Sequence, residues 1–306
     1  MATYHPELTK ARFYPPSLGL PRTLPFFRAM EALQRRFISP KARKVSVSET
    51  ADVYFVGAPS GRKPAPALLW IHAGGMVLGT AVSEFSLTQK RYSPHVDMAM
   101  AFVEYRLAPK HPFPAAMDDC AAALAWLADQ PDVDPSHIAI GGGSAGGGLA
   151  AGLALRARDE MDVKPVFQML IYPMIDDRTA QRTDLDDMPV KLWNQTCNRF
   201  GWSSYLAGAT GDDVHPHAAP SRAEDLSGLP PAWIGVGTLD LFHDEDVEYA
   251  RRLQEAGVPC ELKVVEGGYH GFEAALSAPV VQDFHRSQID ALRAAFEIDE
   301  GGAAYV

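Results

Sequence analysis

The sequence predicts an α/β fold in which a mostly parallel sheet carries helices on both faces. Three observations lead there. Short apolar runs alternate along the chain with longer runs of helix-forming residues, the rhythm of repeated strand-helix-strand units. Two of the short runs, 67–71 and 98–105, are apolar almost without interruption, as expected of strands buried on both faces. A third, 138–140, stops at a cluster of glycines around Ser144 and passes at once into a helix-forming run over 149–158.

Taken in order, residues 1–40 hold scattered prolines and then an amphipathic helix over about 25–37. Its apolar positions Phe26, Phe27, Met30, Leu33 and Phe37 recur at helical spacing. Such a helix either packs on a core or forms a lid over a site, and the spacing does not choose between them. From Lys44 the pattern becomes alternating, with Val45, Val47, Val53 and Phe55 marking two strands of a hairpin-like entry to the sheet. A Gly/Pro loop over 58–66 precedes the strand 67–71, which ends in His72-Ala73-Gly74-Gly75. The strand 98–105 leads through a proline-rich loop to a helix over about 115–129, with Leu124, Trp126 and Leu127 toward its buried side. After the glycine cluster comes a strand over 166–172. Residues 176–225 break the rhythm: polar, rich in turn formers, and bearing Trp193, Phe200, Trp202 and Tyr205, they read as an insertion with short helices. Alternation returns with strands at 232–237 and 260–265 and helices at 244–256 and 279–296, and the tail 300–306 is expected to fray. No internal repeat is present.

Composition bounds the function. At 306 residues, 47% hydrophobic and 22% charged, the chain suits one large α/β domain with an insertion. A net charge of −10, from 28 basic and 38 acidic residues, argues against a nucleic-acid partner. Cys120, Cys197 and Cys260 lie far apart without C-x-x-C spacing, which fits a reducing compartment and excludes a disulfide framework or a cysteine-rich zinc site. No basic-then-apolar leader opens the sequence and no apolar run reaches membrane-spanning length, so the expectation is a cytoplasmic protein without a membrane span.

The glycine cluster admits three readings. Gly142-x-Ser144-x-Gly146 fits a nucleophile elbow, a sharp strand-to-helix turn that lifts a serine Oγ above the sheet. Gly141, Gly143 and Gly146 also satisfy the dinucleotide fingerprint G-x-G-x-x-G. The plainest reading is a flexible turn. A nucleophilic serine needs a base and a group to orient that base, and in this type of fold they follow in the order acid, then histidine, each just past a strand. Asp240 follows the strand at 232–237, and His270 follows the strand at 260–265. His243 is too close to Asp240 to occupy a separate loop, and His285 falls inside the last helix. Asp244, Glu245 and Asp246 look like first-turn helix residues favoured by the helix dipole. The dinucleotide reading wants an acid at the end of the next strand, but that strand ends in Tyr172-Pro173. An acyl-transfer site also needs oxyanion donors, and the N–H groups of Gly74, Gly75 and Ala145 are candidates, with His72 shaping the loop.

Together these segments resemble the hormone-sensitive-lipase-like family of α/β-hydrolase carboxylesterases. The resemblance rests on His72-Ala-Gly-Gly75 with Val77-Leu-Gly79, the run 105–115, Gly142-Gly-Ser-Ala-Gly-Gly147, the run 225–231, Asp240 to Glu245, and His270-Gly-Phe272. It implies an α/β-hydrolase fold, a Ser144-Asp240-His270 triad, and an oxyanion hole from Gly74, Gly75 and Ala145. It further implies a small helical cap, built from residues 1–40 and an insertion at about 176–225 in a catalytic domain spanning 41–306. The aromatics Trp193, Phe200 and Trp202 would stand near the mouth. The implied activity is hydrolysis of short to medium acyl esters without cofactor or metal, in a family where homodimers are common. An amidase or deacetylase would use the same machinery, and a non-catalytic ligand-binding relative would keep the fold while losing a triad member. Two positions depart from the family pattern. Ala73 stands where a glycine is usual, which would add strain if the position needs φ > 0, and Gly143 stands where a polar residue, often Asp, is usual.

Overall fold

The computed structural model describes residues 3–37 and 40–297. The tail 300–306 lies outside the described residues. An eight-stranded sheet forms the centre, in the order β1-β2-β4-β3-β5-β6-β7-β8. Its strands are β1 (Arg43–Ser46), β2 (Asp52–Val56), β3 (Ala65–Ile71), β4 (Ala99–Glu104), β5 (Val133–Gly143), β6 (Phe167–Ile171), β7 (Ala232–Leu239) and β8 (Cys260–Tyr269). β2 pairs antiparallel with β1 and β4, and every pairing from β4 to β8 is parallel. The α-helices are α1 (Leu24–Phe37), α2 (Ala81–Tyr92), α3 (Ala115–Ala128), α4 (Ala145–Glu160), α5 (Gln195–Leu206), α6 (His243–Glu255) and α7 (Pro279–Ala295).

Strand alternation divides the core between two faces. Leu69 and Ile71 of β3 point to one face, where they join Leu124 of α3, Leu149 and Leu153 of α4, and Leu253 of α6. Leu68 and Trp70 point to the other, with Phe85 and Tyr92 of α2 and Phe284 and Leu292 of α7. Helices therefore cover both faces, as the unbroken apolar strands require. Among the described residues no helix is long and apolar enough to cross a membrane.

Three elements depart from the sequence reading. The helix α2 was not expected; its buried residues Ala81, Val82, Phe85, Thr88 and Tyr92 do recur at helical spacing, but Ser, Thr and charged residues dilute the stripe. Thr80 caps it, its Oγ1 accepting from the Ser83 N–H at 2.9 Å. Strand β5 begins at Val133, earlier than the turn-forming residues Asp134-Pro135-Ser136 suggest, and its pairing with β3 shifts register between Ala65 and Ala67. Strand β8 runs on past Val265 to Tyr269, its register with β7 shifting between Gly237 and Leu239.

Candidate active site

The crossing from β5 into α4 is tight enough to dictate its residues. A Cβ on Gly146 would lie 2.0 Å from the carbonyl oxygen of Ile71, and one on Gly142 would lie 2.4 Å from the same oxygen. Neither contact is tolerable, so β3 can approach the turn only if both positions are glycine. Between them Ser144 is forced to φ 54°, ψ −120°, a strained conformation for a residue with a side chain. Backbone bonds hold it there: the Ser144 N–H donates to Ile171 at 2.8 Å, and the Ser144 carbonyl accepts from Met174 at 3.0 Å.

Parallel pairing of β7 with β8 then sets the partners. Leu239 is in register with Tyr269, so the next residue on each strand, Asp240 and His270, meet above the sheet. Asp240 Oδ2 lies 2.8 Å from His270 Nδ1, and His270 Nε2 lies 3.1 Å from Ser144 Oγ. The second Asp240 oxygen accepts from the Phe242 N–H at 3.1 Å, so both oxygens are engaged. All three side chains are buried. With Asp240 accepting at Nδ1, the proton of a neutral His270 sits there and Nε2 faces the serine. The loop after His270 is pinned by an ion pair from Arg91 to Glu273 at 3.0 Å. Burial pushes the Glu273 carboxyl up, but the charges and hydrogen bonds of Arg91 and His285 together outweigh it and hold the group down at about 2. His285 reaches toward Glu273 at 3.7 Å, not toward Ser144, and the His243 ring lies 3.0 Å from the exposed Asp244.

The loop after β3 brings Gly74 and Gly75 to the same cavity as Ser144 and His270. Gly74 has φ 124° and Gly75 has φ 59°, and a Cβ on Gly75 would sit 2.1 Å from the Trp193 ring. Ala73 is not among the residues with positive φ, so the alanine adds no backbone strain. Its N–H is instead tied down, donating to Glu84 Oε1 at 2.7 Å, while Trp70 Nε1 donates to Glu84 Oε2 at 2.7 Å. Burial pushes the Glu84 carboxyl up to about 7 although both N–H donors pull it down. His72 donates from Nδ1 to the Ala73 carbonyl at 2.7 Å and stacks on Tyr105 at 4.0 Å. Burial drives its imidazole down to about 3, so at neutral pH it stays uncharged and shapes the loop. Gly143 has room: a Cβ there would meet only Tyr172 at 3.7 Å, an ordinary contact.

The cavity over Ser144 measures about 360 Å³. Its apolar wall comes from Leu18, Phe27, Met30, Leu78, Leu192 and Trp193. The N-terminal segment and the stretch 176–225 close it jointly. Leu18 N–H donates to the Leu192 carbonyl and Leu192 N–H to the Pro15 carbonyl, both at 2.8 Å. Of the three aromatics expected at the mouth, only Trp193 lines the cavity; Phe200 and Trp202 pack into the core beneath. Asp244, Glu245 and Asp246 fall in the first turn of α6, as expected, and Glu245 and Asp246 do more than face the helix dipole. Both are buried, and Glu245 accepts from the Ile175 and Asp176 N–H groups at 2.9 and 3.1 Å, linking α6 to the segment after β6.

A family model described as the alpha/beta hydrolase fold matches residues 68–274, which contain Ser144, Asp240 and His270. The chain belongs to this family, in its hormone-sensitive-lipase-like branch. Esterase LipI of Mycobacterium tuberculosis is 36% identical over 255 residues, covering 78% of each chain. Carboxylesterase NlhH of the same species is 35% identical over 250 residues, 78% of this chain and 76% of that protein. Among solved structures, a bacterial heroin esterase superposes with a TM-score of 0.84 at 36% identity, covering 96% of this chain and 98% of its own. Esterase LipW from Mycobacterium marinum also gives 0.84, at 30% identity and 96% of both chains.

Sequence reasoning passed over Glu84, Tyr172 and, apart from Trp193, the cavity wall. Tyr172 carried a signal, since it stands at the end of a parallel strand, where such sheets place their sites. Glu84 carried none, because the helix holding it was not expected.

Proposed function

We propose that this protein is a serine carboxylesterase that hydrolyses short to medium acyl esters through an acyl-enzyme intermediate. The observation that supports it most is the hydrogen-bonded chain Asp240–His270–Ser144 opening onto a cavity beside Gly74 and Gly75. His270 Nε2 takes the Ser144 proton as Oγ attacks the ester carbonyl, and Asp240 holds the tautomer and stabilises the imidazolium. The N–H groups of Gly74, Gly75 and Ala145 receive the developing oxyanion. Ala145 opens α4, so its N–H belongs to the first turn, where no helical acceptor exists. His270 then protonates the leaving alcohol, and water repeats the sequence on the acyl-enzyme.

The segment 1–40 and the insertion 176–225 act together as a cap. A cavity of about 360 Å³ lies near the lower end of the range for small-molecule sites, about 300–1,000 Å³, which favours compact esters. The names of the relatives, esterase and carboxylesterase, point the same way. Replacing Ser144 with Ala should lower p-nitrophenyl acetate hydrolysis by about 10⁵-fold or more with circular dichroism unchanged. Activity retained in a folded Ser144→Ala protein would overturn the assignment.

A further inference from the structure

We propose that helix α1 docks this protein on an anionic lipid surface, with the mouth of the cavity turned toward the lipid. The helix is inverted. Its one buried residue is the acid Glu31, whose Oε1 accepts from the Gly79 N–H at 2.6 Å. Arg28 donates to the Val77 and Ala108 carbonyls, and Arg35 pairs with Glu104, so polar side chains fasten α1 to the body. The apolar residues face out: Phe26 is 68% exposed, Met30 41%, Leu33 58% and Phe37 72%. Their spacing of four, three and four places them in one narrow stripe along the helix. A helix selected only to pack on this body would show the opposite arrangement.

Charge identifies what covers the stripe. Residues 1–44 contain nine Lys and Arg against two Asp and Glu, in a chain whose net charge is −10. Arg22, just before the helix, and Arg36, beside the stripe, are exposed and make no hydrogen bond or ion pair with the described residues. A basic helix with an aromatic and aliphatic stripe is built for the interface of an anionic bilayer, where apolar burial and charge attraction act together. A second copy docking through the same face would bring two basic surfaces together, which disfavours a self-complementary contact. The stripe is also continuous with the cavity. Phe27, Met30 and Gln34 line the cavity from the adjoining strip of α1, and Met30 belongs to both. An ester dissolved in the lipid would cross Met30 to reach the site.

Co-sedimentation with sucrose-loaded vesicles tests the proposal. The wild-type protein should partition onto vesicles of one part phosphatidylglycerol to two parts phosphatidylcholine at least about tenfold better than onto phosphatidylcholine alone. Phe26→Ser/Leu33→Ser/Phe37→Ser should reduce that partition by about tenfold or more, while hydrolysis of p-nitrophenyl acetate and the circular dichroism stay as in wild type. Arg22→Glu/Arg36→Glu should weaken binding to the anionic vesicles specifically. Ser144→Ala should bind vesicles like wild type, so the docking result stands apart from the esterase reading. Equal partition of wild type and both surface variants would overturn the proposal. So would a wild-type dimer in light scattering that the triple serine variant converts to monomer, since the face would then belong to a second copy.

Discussion

The two halves of the candidate site are built on different principles. Ser144, Asp240 and His270 stand just past the C-terminal ends of the parallel strands β5, β7 and β8, where backbone register and close packing fix each of them. In the proposed cap that faces them, helix α1 is held by a few polar anchors, Glu31, Arg28 and Arg35, and leaves apolar side chains in solvent. The reacting groups tolerate almost no displacement, because a shift of about 1 Å can cost about 10² in rate. The wall proposed to choose the acyl group has no such requirement. Mutations at the strand ends should therefore change kcat, and mutations in the cavity-lining wall should change which ester is preferred.

The sharpest way to break this contrast lies at the strand ends. Asp240→Asn keeps the shape but favours the wrong imidazole tautomer, and should lower kcat by about 10⁴ with little change in KM. A mainly KM effect would mean that Asp240 acts on binding. Gly75→Ala would set its Cβ 2.1 Å from the Trp193 ring and disturb the neighbouring N–H groups, with an expected loss of about 10²–10³ in kcat. Adding Trp193→Ala removes that clash, so the double variant should recover part of the loss. No recovery would place the fault in the backbone alone. On the cap side, Trp193→Ala should shift preference toward longer acyl chains, by about tenfold in relative kcat/KM across a p-nitrophenyl ester series. An unchanged profile would remove Trp193 from the specificity wall.

Glu84 tests the junction of the halves through pH. Its carboxyl is raised from 4.5 to about 7, chiefly by burial. The folded state thus binds a proton more readily than the unfolded state, and Glu84's contribution to stability is present below its unfolded pKa and lost as pH rises through about 7. Thermal melts between pH 5 and 7.5 should show stability falling with pH in wild type and falling less in Glu84→Gln. An identical slope in the variant would show that Glu84 does not titrate in this window. The smallest effect is expected at Ala73. Its φ is not positive, so Ala73→Gly should leave kcat/KM within about twofold.

Much of the fold was readable because parallel strands buried on both faces leave unbroken apolar runs, and 67–71 and 98–105 are two of them. The elbow was readable for a steric reason: Gly142 and Gly146 must be glycine where Ile71 approaches. The rest was hidden by chemistry that sequence spacing does not record. Helix α2 escaped notice because its buried face includes Thr88 and small residues, and with it went Glu84. For α1 the apolar periodicity was real, but its direction was inverted by Arg28 and Glu31, which find partners in loops far along the chain. Apart from Trp193, the cavity wall was unreadable because Leu18, Phe27 and Leu78 come from separate segments that only the folded chain unites.

The central claim is that Ser144 is activated by His270 in the folded protein. Treating the enzyme with a fluorophosphonate probe and locating the adduct by peptide mass spectrometry tests it directly. One adduct per chain on Ser144, strongly slowed in His270→Ala and absent in Ser144→Ala, is the result this account predicts. Labelling at another residue, or undiminished labelling of Ser144 without His270, would contradict it.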